Sequence, residues 1–241
     1  MLEPEVIYED KNFLAVNKPA GLLVHGARNI SQVASESTLV DWLVQKYPEI
    51  KTVGDDPETR PGIIHRLDKA TSGVLLIART QDYFKYLKSL FQKHEIKKIY
   101  LAVAAGIVEP REGIIDRPIG IRNGTLKRSV HSAKMAKEAV TGYKVVKYIS
   151  DTGQAGSEKK LSFLEIYPKT GRTHQIRVHL GSIGHPIMGD LLYGGKVGHR
   201  PLKRLMLHAL SIEFTDNNGR RMKIEAEPPD DFMSIINASD N

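Results

Sequence analysis

Between Gly62 and Arg79 the chain reads GIIHRLDKATSGVLLIAR. His65, Arg66, Asp68 and Lys69 precede an unbroken apolar run, Val74 to Ala78, with Thr71, Ser72 and Gly73 between. Asp68 is open to two readings. Asp is frequent in turns and caps, where its carboxylate accepts local backbone N–H groups. On a loop feeding a rigid strand it is also placed to act as a nucleophile or base.

A second group is KKIYLAVAAG, in which Tyr100 interrupts an apolar strand after Lys97 and Lys98. Its ring either packs in the core with the hydroxyl at the edge, or faces a pocket and can stack on a base. The third is TGRTHQIRVHLGSIGHP. On a helix starting near Thr173, Ile176, Leu180 and Ile183 form an apolar stripe. His174 and Arg177, three apart, share a neighbouring face. Arg177 then points into a site bounded by the sheet. His174, His179 and His185 raise a metal site, but helical ligand pairs need a spacing of three or four. Five residues separate His174 from His179, and His185 lies beyond the helix, so no metal is expected.

These groups need elements to hold them. VIYEDKNFLAVNKP predicts two short strands joined at residues 10–12. TLVDWLVQKYP predicts a helix with Leu39, Leu43 and Tyr47 on one face, Ser37 or Thr38 as cap and Pro48 as terminator. Residues 53–62 are polar and proline-bearing, hence a loop. The apolar run after Asp68 predicts a strand buried on both faces. TQDYFKYLKSLFQKH predicts a second amphipathic helix capped by Thr80, with Phe84, Leu87 and Phe91 on one face. KKIYLAVAAG, AVTGYKVVKYI, KLSFLEIYP, LMLHALSIEF and RMKIEAEPP read as strands, and residues 151–160 as a hairpin loop. The tail after Phe232 reads as frayed. Strands outnumber helices and come in neighbouring pairs, which predicts an α+β fold with a mixed, largely antiparallel sheet.

The 241 residues suit one large domain, or one domain with two lobes. The hydrophobic fraction is 41% and the charged fraction 26%, enough apolar material for a core. There is no cysteine, which excludes disulfides, thiolate nucleophiles and Cys-ligated zinc. The acidic N-terminus has no basic-then-apolar signal pattern, and no apolar run approaches a membrane span, so a cytoplasmic protein is expected. The net charge of +7 suggests a polyanionic partner. No acid lies between Asp116 and Glu138, where Arg117, Arg122, Lys127, Arg128, Lys134 and Lys137 occur. Lys196, Arg200, Lys203 and Arg204 form a second group. Two basic runs beside a candidate pocket favour a phosphate track.

NKPAGLLVH, HRLDKATSGVLLIAR, KKIYLAV, TGRTHQIRVHL and LMLHALSIEF, in that order, resemble the RluA-type pseudouridine synthases. The likeness runs from about Ile7 to about Pro229 and rests chiefly on the HRLD-x-x-TSG and TGR-x-HQIR motifs. It implies one catalytic domain over 1–241 with its core at about 7–229, a sheet in two halves with flanking helices and an active-site cleft between them. Many relatives carry an N-terminal S4 domain; none is expected here. It implies isomerisation of uridine to pseudouridine in rRNA or tRNA, without cofactor or metal; a monomer is the default expectation. It further implies Asp68 as the catalytic aspartate, Tyr100 as the active-site tyrosine and Arg177 as the basic partner of the aspartate. RNA-contact candidates are Lys18, His65, Arg66, Arg122, Lys127, Arg128, Arg172 and His174, with Arg66 proposed to fill the gap that a flipped base leaves. The rival reading is a non-catalytic RNA-binding module, for which Asp68 would be dispensable. A metal-dependent hydrolase, which would need the histidines, is the other rival; neither explains Asp68, Tyr100 and Arg177 together.

Overall fold

The computed structural model describes residues 3–26, 37–122, 127–132, 134–152, 158–194 and 202–237. Along the chain run β1 (Glu5–Glu9), β2 (Phe13–Lys18), α1 (Leu39–Lys46), β3 (Ser72–Ala78), α2 (Gln81–Gln92), β4 (Lys97–Ala105), β5 (Glu112–Asp116), β6 (Gly120–Ile121) and β7 (Arg128–Ser129). Then follow β8 (Val140–Thr152), β9 (Glu158–Pro168), α3 (Gln175–Ser182), β10 (Leu207–Thr215), β11 (Arg221–Glu225) and α4 (Asp230–Asn237). The fold is α+β, and β1–β2, β2–β3, β4–β9, β8–β9, β5–β8 and β10–β11 are all antiparallel pairs. The chain divides into two compact units, Met1–Lys97 with Ala209–Glu227, and Lys98–His208 with Pro228–Asn241.

In the first unit the strand order is β1-β2-β3-β10, with β11 on β10. Every residue of β3 is buried, as its unbroken apolar run requires. Phe13, Leu76, Tyr83, Leu87, Phe214 and Ile224 pack in one core between sheet and α2. Thr80 caps α2, its hydroxyl accepting the Tyr83 N–H at 3.3 Å. At α1, Thr38 and Asp41 form a capping box: the Asp41 N–H donates to the Thr38 hydroxyl at 3.2 Å, and the Thr38 N–H to the Asp41 carboxylate at 2.8 Å. Leu39, Leu43 and Tyr47 bury their shared face.

In the second unit β4, β9, β8 and β5 lie in that order, and β6 pairs with β7 apart from them. The β8–β9 hairpin is long, pairing Thr141 with Pro168 at one end and Thr152 with Glu158 at the other. Its loop, residues 153–157, lies outside the described residues, as do Lys196 and Arg200.

Two expectations need correction. The tail after Phe232 is not frayed as far as Asn237: α4 buries Phe232, Ile235 and Ile236. Its acids Asp230 and Asp231 favour the first turn, and the periodicity was hidden by the brevity of the segment. Helix α3 begins at Gln175, later than Thr173, because His174 takes a left-handed conformation with φ 58°. Nor does α3 bury one stripe alone; Gln175 through Leu180 are all enclosed. Its polar side chains are tolerated because they are hydrogen-bonded. The Gln175 amide donates to Thr141 Oγ1 at 2.9 Å and to the Val140 carbonyl at 3.0 Å.

Candidate active site

In the first unit, the loop that carries Asp68 is fastened from several sides. Lys18 ends β2 with its side chain fully buried. Its ammonium donates to the carbonyls of Pro19 and Leu22, both at 2.8 Å, and of Lys69 at 3.2 Å. The Gly21 N–H also donates to the Lys69 carbonyl, at 2.7 Å. The residue after Asp68 is therefore tied to the turn after β2. On the other side, His65 Nε2 accepts the Leu76 N–H of β3 at 3.0 Å, and its ring stacks on Phe91 of α2 at 4.7 Å. Because Nε2 accepts, the ring proton is on Nδ1. The Thr71 N–H closes a turn onto the Asp68 carbonyl at 3.0 Å. Asp68 is half-buried, while Arg66 and Lys69 beside it are exposed.

These contacts give two of the expected RNA-contact residues an anchoring role. Lys18 is enclosed, and its charge stabilises a cluster of carbonyls instead of meeting solvent. His65 uses its ring to anchor the loop to β3 and α2. Sequence reading missed both because a charged or polar type at a loop looks exposed until the backbone folds over it.

Gly73 explains the last letter of TSG. Its φ is 115°, and a Cβ there would lie 2.2 Å from the Ala209 carbonyl oxygen of β10. Only glycine permits both the conformation and the approach.

In the second unit Tyr100 sits in β4 opposite Ile166 of β9, half-buried. Lys98, two residues earlier, shares its face. Burial lowers the Lys98 pKa, and its ammonium has no hydrogen-bond or ion-pair partner among the described residues. The two-residue strand period could have singled it out beside Tyr100.

Arg177 is buried on α3. Its Nε donates to Asp190 Oδ2 at 2.8 Å and its Nη2 to Asp190 Oδ1 at 2.9 Å, a bidentate clamp. Oδ1 also accepts the N–H groups of Leu192 at 2.9 Å and Tyr193 at 3.0 Å. Burial alone would raise the Asp190 pKa, but the guanidinium and the two N–H groups outweigh it and hold the carboxyl below its ordinary value. The Arg177 guanidinium lies over the Tyr193 ring at 5.2 Å. The Tyr193 hydroxyl bonds His174 Nδ1 at 2.9 Å and accepts the Arg128 N–H at 3.0 Å. Asp190 and Tyr193 went unselected in the sequence, where GDLLYGG carries no spacing that points to α3.

The remaining candidates also fall in this unit. Arg172 donates from Nε to the Glu138 carbonyl at 2.8 Å. Lys127 reaches the Leu192 carbonyl at 3.3 Å, and Arg122 is exposed. His179 is structural: Nε2 donates to the Arg117 carbonyl at 3.0 Å and Nδ1 meets the Thr141 hydroxyl at 2.9 Å. Burial lowers its pKa, which keeps the ring neutral. His185 Nδ1 bonds the Ala105 carbonyl at 2.9 Å.

Solved structures share this architecture. Human RNA pseudouridylate synthase domain containing 1 superposes with a TM-score of 0.74 at 26% identity, covering 99% of this chain and 88% of its own. The human domain-containing 4 protein, at 24% identity and a TM-score of 0.70, supports the fold alone. The sequence profile of the RNA pseudouridylate synthase family matches residues 12–182, and the chain belongs to that family. A ribosomal large subunit pseudouridine synthase D of Pseudomonas aeruginosa is 34% identical over 98% of this chain and 71% of its own. An uncharacterized RNA pseudouridine synthase of Aquifex aeolicus is 36% identical over 95% of this chain and 71% of its own. The chain is thus an RNA pseudouridine synthase, an isomerase, and the non-catalytic reading is not favoured.

Proposed function

We propose that Asp68 is the nucleophile of this isomerase, with Tyr100 as the platform for the target uracil and Arg177 as the cation that keeps the aspartate ionised. The observation that carries the reading is the fastening of the Asp68 loop by Lys18 and His65. A carboxylate held on such a loop loses little freedom when it attacks.

The chemistry balances without an outside group. The Asp68 carboxylate adds to the ribose C1′ or to C6 of the base, and the N1–C1′ bond breaks. The uracil turns and C5 bonds to C1′. The proton on C5 leaves, N1 gains one, and the carboxylate departs. The uridine must first leave its stack, at a cost of a few kcal/mol. Stacking on Tyr100 offsets about 1–3 kcal/mol of that. Arg66, exposed two residues before Asp68, fills the vacated space in this reading.

The relative named for the ribosomal large subunit supports rRNA as the substrate class, with tRNA as the comparison. We place the protein in the cytoplasm, on the acidic N-terminus without a signal pattern. Among the described residues no helix is long and apolar enough to cross a membrane.

The test is tritium release from rRNA and tRNA transcripts labelled at uridine C5. Wild type releases tritium from at least one transcript. Asp68→Asn, folded and RNA-binding, releases none. Wild-type-like release by that variant would remove Asp68 from the chemistry.

A further inference from the structure

We propose that the cavity lined by Arg128, Lys137 and Arg172 in the second unit is a phosphate site that takes one backbone phosphate of the RNA. This rests on the RNA reading of the charge and deepens it. The cavity also touches Ile119, Gly171 and Thr173, and no carboxylate lines it among the described residues.

Three cations thus converge with little to balance them. The Arg128 guanidinium forms no hydrogen bond or ion pair among the described residues, and its Nε is a buried donor without an acceptor. Lys137 bonds only through its backbone. Arg172 has one partner, the neutral carbonyl of Glu138. A half-buried guanidinium with unmet donors is unfavourable. An anion supplies the missing acceptors, and phosphate matches the guanidinium fork.

The cation-bearing segments are also fixed in advance. The Lys137 and Ile119 backbones exchange hydrogen bonds at 3.1 and 2.9 Å. Ile121 pairs with Arg128 across β6–β7, and the Arg128 N–H is held by the Tyr193 hydroxyl. The Arg172 N–H donates to Gln175 Oε1 at 3.0 Å. Little ordering is left for a ligand to induce.

The test is the salt dependence of binding of an RNA hairpin, measured by anisotropy from about 50 to 200 mM KCl, the range over which phosphate contacts dominate. Arg128→Gln lowers the magnitude of the log–log slope by about 0.7–0.9, the amount for one phosphate. Arg128→Gln with Lys137→Gln lowers it by the same amount, because both serve one phosphate. Lys11→Gln, the same charge change outside the cavity, leaves the slope unaltered. Circular dichroism confirms folding, and Arg128→Lys, which keeps the charge, restores the slope. An unchanged slope in folded Arg128→Gln overturns the site. A doubled loss in the double variant overturns it as well, in favour of separate surface contacts. Absence of RNA binding by wild type overturns it together with the RNA reading. Slope loss in a protein that releases no tritium from any transcript keeps the site and rejects the catalytic assignment.

Discussion

At the scale of single residues, charge is used in two different ways. Lys18 and Asp190 are enclosed and act on neighbouring groups, one gathering carbonyls, the other clamping Arg177. Breaking a buried ion pair from one side leaves the other charge stranded, at about 3–5 kcal/mol. Asp190→Ala therefore destabilises the fold by that order, read from urea unfolding. Asp190→Asn keeps the shape and loses the charge. Where it still folds, the proposed role of Arg177 predicts that kcat falls more than KM changes, because the guanidinium loses the carboxylate that orients it. Equal stability of Asp190→Ala and wild type would show that the clamp does not hold in solution. For the stacking role proposed for Tyr100, Tyr100→Phe separates two contributions: the ring is retained, so RNA affinity is kept, while any rate loss reports the hydroxyl.

At the scale of elements, the β3 strand is the base on which the Asp68 loop is mounted. Leu76 is fully buried in it, and its N–H is the group that His65 captures. Leu76→Ala costs about 2–5 kcal/mol through the cavity it leaves, measured by denaturant midpoint. Gly73→Ala acts differently. A methyl group there meets the Ala209 backbone while the left-handed φ disfavours any side chain, so the change destabilises by more than the roughly 1 kcal/mol that Gly→Ala gains at a compatible site. A variant as stable as wild type would show that β3 and β10 can separate locally without loss.

At the scale of the whole molecule, acid sensitivity follows from groups in both units. Asp190, Glu213 and Asp216 have folded pKa values held below their ordinary ones. Such carboxylates contribute stability above the unfolded pKa, and that stability is lost as pH falls through the folded value. His179 acts earlier. Its folded pKa is lowered from 6.5, so the unfolded chain binds the proton more tightly, and stability declines as pH drops below that value. Unfolding free energy is thus level near neutrality, slopes down below 6.5 and falls further below 4.5 and 3.8, the ordinary Glu and Asp values. His179→Gln removes the first slope while the second remains; a wild-type curve from that variant would place the proton elsewhere. Much of this molecule was written locally. The unbroken run Val74–Ala78 had to be a strand buried on both faces, since nothing polar in it can meet water. Thr80 and Thr38 announced the helix starts through cap chemistry that acts over three residues. Asp68, Tyr100 and Arg177 stand out in their motifs as candidates. What sequence spacing does not carry is the partner of a buried charge, because that partner arrives from another part of the chain. Arg177 meets Asp190 across a helix end and a turn, and Lys18 meets Lys69 across a loop, and only tertiary packing brings those groups within hydrogen-bonding distance and removes the water that would otherwise separate them.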